Sequence, residues 1–231
     1  MDNFNISMLL SGQYFHWLVS GLAMSIRLSL LAFVIALPLA VVIALMRLAP
    51  HALVRLTGQA YVEGVRNVPL LAHMLFWYFG APQLLPLAVK AWLYDRNFEA
   101  ASALIALVLY TAAFMAEDIR SGIRSIPKEQ LEASRAMGFS FLASMRFVVL
   151  PQSLRLTVPP LVSQTLNLWK NSSIAMVIGV AELMYQAQQV ESATFRGFES
   201  FAFATVAYLT VSLAITVFSQ WYQHRFPVRG M

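Results

Sequence analysis

The feature that most constrains this chain is a recurrence of apolar runs about 20 residues long, separated by short polar segments. A helix of that length covers the hydrocarbon core of a bilayer and satisfies its own backbone hydrogen bonds there. The two-residue alternation of a membrane barrel is absent. The expected spans are Leu22–Met46, Glu63–Phe79, Ala100–Glu117, Leu156–Ile178 and Phe201–Trp221. Only 12% of the residues are charged and 59% are apolar, whereas soluble domains run to about a quarter charged. The chain therefore reads as an all-α polytopic membrane protein of about five transmembrane helices, one domain covering residues 1–231, with the lipid bilayer as its main surroundings.

Within that frame, Pro38 is expected to kink the first span, and Gly80, Pro82 and Pro86 to break the helix after the second. Arg27 can snorkel to the interface. With the N-terminus outside, eleven basic residues (Arg47, Arg55, Arg66, Arg120, Arg124, Lys128, Arg135, Arg146, Arg155, Arg225 and Arg229) fall on the inner side, and only Lys90, Arg96 and Arg196 on the outer. The positive-inside rule then sets the orientation as N-out/C-in. The same distribution leaves no continuous basic face, so nucleic acid is not an expected partner. Met1 to Gly21 contains Asp2 and no Lys or Arg, unlike the basic start of a cleavable signal, so the first helix is expected to stay as an anchor.

Catalytic chemistry finds no support. The absence of cysteine removes disulfides, thiol nucleophiles and thiolate metal sites. His16, His51, His73 and His224 are scattered without metal-ligand spacing, and His73 reads as a packing or polar-contact residue. There is no Gly-x-Ser-x-Gly elbow and no phosphate-binding loop, so no enzyme activity is expected and any ATP must be hydrolysed by another chain.

The longest polar stretch, residues 120–155, is more than a connector. Pro127 and Glu129 suit the first turn of a helix, and Gly138 suits its end. Ser140 can cap a second helix, which Pro151 is expected to stop. Ala133, Ser134 and Ala136 would leave one side thin enough for a partner's close approach. Such a segment could rest on the membrane surface or project as a lever, two short helices meeting at a right-angle bend.

Glu132-Ala133-Ser134, three residues, Gly138, nine residues, then Val148-Val149-Leu150-Pro151 resembles the EAA motif of bacterial ATP-binding cassette (ABC) importer permeases, with Ser134 and Val148 as mild departures. The resemblance implies a MetI-like permease fold. It also implies a coupling role for Glu132, Ala133, Ser134, Gly138, Leu150 and Pro151 in a cleft of an ABC ATPase subunit. ATP and magnesium would bind that ATPase dimer, leaving no cofactor in this chain. Further implied partners are a second permease subunit, sister or identical, and a periplasmic amino-acid-binding protein, in the bacterial inner membrane.

Two more segments resemble the polar amino-acid (histidine/glutamate-type) branch. One is Glu63-Gly64-Val65-Arg66-Asn67-Val68-Pro69-Leu70-Leu71 followed by Phe76-Trp77-Tyr78-Phe79-Gly80. The other runs from Leu150-Pro151-Gln152 through Pro159-Pro160 and Trp169-Lys170-Asn171-Ser172-Ser173 to Glu182-Leu183. Together they extend the resemblance over about residues 20–222. Asn171-Ser172-Ser173 is most similar to glutamate/aspartate permeases, whereas other members more often carry Asp at position 171, which would repel an acidic ligand. Permeases for glutamine, histidine or arginine, or a stand-alone secondary transporter, are the alternatives.

Polar side chains within a span are costly and point to function. Gln164, Asn167 and Asn171 recur at i, i+3 and i+7 on one helix face, with Lys170 and Ser173 beside them. These residues are expected either to meet substrate or to hydrogen-bond a second permease. Glu117, Asp118 and Glu182 are expected at span ends, in water or paired with a base.

Overall fold

The computed structural model describes residues 12–94 and 97–226, so Arg96 and Arg229 of the charge pattern, and Met1 to Ser11, lie outside the described residues. Helix α1, Gly12–Leu48, begins ten residues before the expected span and continues through Pro38. One of its faces carries Gly21, Ser25, Leu28, Ala32, Ala36, Ala40 and Ala44, all buried and three or four residues apart. The opposite face presents Leu30, Leu31, Val34, Val41 and Val42 outward. Helix α5, Phe98–Arg124, meets the small-residue stripe with its own, including Ala103, Ala106, Ala112, Ala113 and Ala116. Inside a bilayer the hydrophobic effect does not drive one helix onto another, so close van der Waals packing of small residues has to. Helix α5 is the hub. It also packs against α2 (Ala52–Arg66), α3 (Leu70–Leu75) and α8 (Leu150–Asn171).

Among the described residues, three helices are long and apolar enough to cross a membrane by length and composition: α1, α5 and α10, Gly197–Arg225. The segments expected as the second and fourth spans fold as interrupted helices. The second does not begin at Glu63, which lies in the last turn of α2. Pro69 takes an extended ψ of 142° and has no N–H to continue the ladder, so the helix restarts at Leu70. It then loosens into a π turn, Phe76–Gly80, and tightens into a 3-10 turn, Ala81–Leu84. A short helix α4, Leu87–Tyr94, follows.

The fourth expected span begins earlier than Leu156, at Leu150, and its α-helix ends at Asn171 with a 3-10 segment, Ser172–Ile178. Gly179 ends it at φ +89°, with Gly179 N–H bonded to Met176 O and Val180 N–H to Ala175 O, a Schellman closure. Helix α8 crosses α5 so closely that a Cβ on Gly122 would fall 2.1 Å from Thr157 Oγ1. Helix α9, Leu183–Thr194, packs on the first half of α1 and on α10.

Candidate functional site

The segment between α5 and α8 folds largely as its punctuation dictates. Helix α6, Lys128–Ala136, starts after Pro127 and ends in a second Schellman closure. Gly138 sits at φ +92°, its N–H bonded to Arg135 O, while Phe139 N–H reaches Ser134 O. Ser140 Oγ accepts from Ala143 N–H at 3.2 Å and caps α7, Phe141–Ser144.

The expectation that Pro151 stops this second helix is wrong. The chain passes through a π turn, Met145–Val149, directly into α8, with Pro151 in the first turn of that helix, where its missing N–H is tolerated. Ser134 does not join the thin outer side either. It is 1% exposed and donates its hydroxyl to Leu131 O, whereas Glu132, Ala133, Ala136 and Gly138 lie outside. Leu150 and Pro151 are also exposed. Around them stand Met137, Phe139, Phe141, Leu142 and Phe147, all exposed. This surface has apolar area to bury and no cover from the described residues.

The polar face of α8 opens on a hollow of about 430 Å³, within the size range of small-ligand pockets. Gln164, Asn167, Leu168, Lys170 and Asn171 form one wall, and Tyr110, Thr111 and Phe114 of α5 the other. Four of the five residues singled out in the sequence thus share one cavity. Ser173 does not. It bonds Lys170 O and faces a neighbouring apolar hollow that Lys170 also borders, since nine residues on from Gln164 it falls on the opposite side of the helix. Among the described residues no carboxylate pairs with Lys170.

Acidic residues frame this hollow and the packing behind it. Gln164 Nε2 donates to Asp118 Oδ2 at 2.9 Å, and Asn167 Nδ2 lies 3.5 Å from Gln164 Oε1. Glu117 takes Arg47 of α1 and Arg120 of its own helix, so the last turn of α1 lies beside the C-terminal third of α5. The expected pairing with a base therefore holds for Glu117.

For Glu182 the expectation of water or a base is wrong. Its side chain is fully buried and caps α9, accepting from Tyr185 N–H at 2.9 Å and Met184 N–H at 3.0 Å. It also accepts from Ser25 Oγ at 3.1 Å and Tyr208 Oη at 2.8 Å, and so ties α1, α9 and α10 together. Burial pushes this carboxyl up from its ordinary pKa, and the four donors oppose that. Sequence reasoning missed the roles of Asp118 and Glu182. Glu is not among the usual N-cap residues Ser, Thr, Asp and Asn, so no local signal placed Glu182. No local signal links Asp118 to Gln164.

Residues 36–227 match the family described as binding-protein-dependent transport system inner membrane component. The chain belongs to that family. This permease is 41% identical over 193 residues to the probable glutamine ABC transporter permease protein GlnM of Bacillus subtilis (82% of this chain, 85% of the relative). It is 35% identical over 206 residues to the glutamate/aspartate import permease protein GltJ of Escherichia coli K12 (87% and 84%). Among solved structures, an amino acid ABC transporter crystallised with histidines superposes with a TM-score of 0.86 at 30% identity, over 98% of this permease and 100% of that chain. The inward-facing MetNI methionine transporter, at 20% identity and a TM-score of 0.63 over 94% and 96%, shares the fold.

Proposed function

We propose that this permease carries acidic amino acids, glutamate and aspartate, across the bacterial inner membrane. A periplasmic binding protein delivers them, and an ABC ATPase pair docked on α6 supplies the energy. One observation carries the substrate class: the hollow presents the Lys170 ammonium with the amides of Asn167 and Asn171, and among the described residues no carboxylate lines it or pairs with Lys170. An ammonium and amide N–H groups suit the carboxylates of an acidic amino acid, and a charge-assisted bond is the stronger kind. The name of the glutamate/aspartate relative points the same way.

The exposed apolar rim of α6 and α7 supports docking of the ATPase, which would bind ATP and magnesium. The basic bias and the shared side of Arg47 and Arg120 support an N-out, C-in chain of five crossings beside a second permease. Closure of the ATPases would move α6 and, through the unbroken π turn, α8 itself. ATP can shift the permease only by binding one state better than the other.

The test is uptake of labelled glutamate by the reconstituted complex, with aspartate, glutamine, arginine and histidine as competitors. Aspartate is expected to compete, and Lys170→Met to cut glutamate uptake about tenfold or more, the worth of a bond to a charged group. Competition by arginine but not aspartate overturns the acidic assignment. The GlnM relative makes glutamine the second reading, and competition by glutamine alone would establish it.

A further inference from the structure

We infer that Asp118 is a positioning residue. It fixes the side-chain amide of Gln164 so that the carbonyl oxygen, not the NH2 group, serves the hollow, and makes Gln164 the acceptor for a substrate's α-ammonium. The inference rests on the reading that the hollow binds an amino acid, and it concerns the end of the ligand that every amino acid shares.

An ionised carboxylate only accepts hydrogen bonds. The Gln164 atom 2.9 Å from Asp118 Oδ2 must therefore be the donor Nε2. Burial works against that ionised state, while the bond from Gln164 and the charge of Arg66 favour it. The Arg66 guanidinium lies over the Phe114 ring, 5.0 Å from the centroid, and interacts electrostatically with Asp118. The segment around Arg66, otherwise only a helix end before Pro69, thus has a task at the back of the cavity wall.

With Nε2 committed, Oε1 is turned toward Asn167, another lining residue, and that contact is long at 3.5 Å. Oε1 keeps lone-pair capacity for a stronger donor. Lys170 lies six residues further along α8, about 9 Å at 1.5 Å per residue. An amino acid held by its ammonium at Gln164 and by a carboxylate at Lys170 spans such a distance with a hydrogen bond at each end. The hollow would then be polarised, accepting at one end and donating at the other.

The experiment uses the whole complex in nanodiscs, without ATP or binding protein, and measures equilibrium binding of labelled glutamate and its displacement by glutarate. Glutarate has both carboxylates and no ammonium. The wild type should prefer glutamate. Asp118→Asn can present either an oxygen or an NH2 to Gln164, so the amide is free to turn over, and the glutamate-to-glutarate preference should fall about tenfold. Gln164→Met should lose the preference similarly.

If Asp118→Asn weakens both ligands equally, the residue is merely structural and the inference is overturned. Should that variant fail to assemble, a preference retained in Gln164→Met overturns it just as well. Wild-type complex that binds glutamine but not glutamate refutes the acidic substrate alone, and the same comparison with glutamine and its desamino analogue decides the role of Asp118. A complex that binds no amino acid refutes both.

Discussion

Helices α5 and α10 are both long and apolar enough to cross a bilayer, yet 56% of the apolar stretch of α5 is buried within the chain and only 6% of that of α10. Helix α5 buries Ala103, Ala106, Ala112, Ala113 and Ala116 and holds Glu117 and Asp118 at its polar end. Helix α10 buries Ser200 and Ala204 and turns Val206, Leu209, Leu213, Val217 and Trp221 outward. Apolarity decides that a helix enters the membrane, and side-chain size decides whether it meets protein there. The two helices should therefore fail for opposite reasons, α5 for bulk and α10 for charge.

Gly122→Val is expected to be the most damaging change. The added carbons have Thr157 in their way, and overpacking at so short a separation belongs at the upper end of the usual penalty, above about 3 kcal/mol. Thermal unfolding in detergent should show a large drop, and a wild-type melting curve would mean that α5 and α8 do not cross this tightly.

Leu213→Arg adds a charge at an exposed site of α10 and should cost about 2.5–3.5 kcal/mol of membrane insertion. A translocation reporter fused beyond the helix reads this directly. Efficient insertion would place residue 213 against water or a polar partner.

Glu182→Gln leaves two backbone N–H groups and two hydroxyls facing an amide with a single acceptor oxygen, and should lower stability by about 1–3 kcal/mol. The loss should be largely non-additive with Ser25→Ala, since both act on one network. Strict additivity in that double-mutant cycle would dissolve the proposed knot. At the small end, Leu213→Ala should stay within about 0.5 kcal/mol, as for an ordinary surface site, while its arginine counterpart does not.

Local chemistry was the most legible part of this protein. Gly138, Ser140 and Pro127 act through backbone geometry and hydrogen bonds within a few residues, so α6 and its closure could be read directly. The polar face of α8 was legible for the same reason, since Gln164, Asn167 and Asn171 share a helix face by spacing alone, with Lys170 beside them. Ser173 falls outside the hollow by that same spacing, because nine residues on from Gln164 it lies on the opposite side of the helix. Pro151 misled because a proline ends a helix from within but starts one comfortably. Whether a π turn precedes it depends on what α7 and α8 pack against.

By itself, then, the sequence determined the membrane class, the all-helical build, the helix ends marked by Gly and Pro, and the polarity of one wall of the hollow. Only the tertiary structure decided which apolar helix became the hub and which faces outward. It also brought Tyr110, Thr111 and Phe114 to the opposite wall. It joined Asp118 to Gln164 across 46 residues and Ser25 to Glu182 across 157. Helical periodicity carries information over about a turn or two, while the contacts that orient an amide or bury a carboxylate are made between helices far apart in the chain.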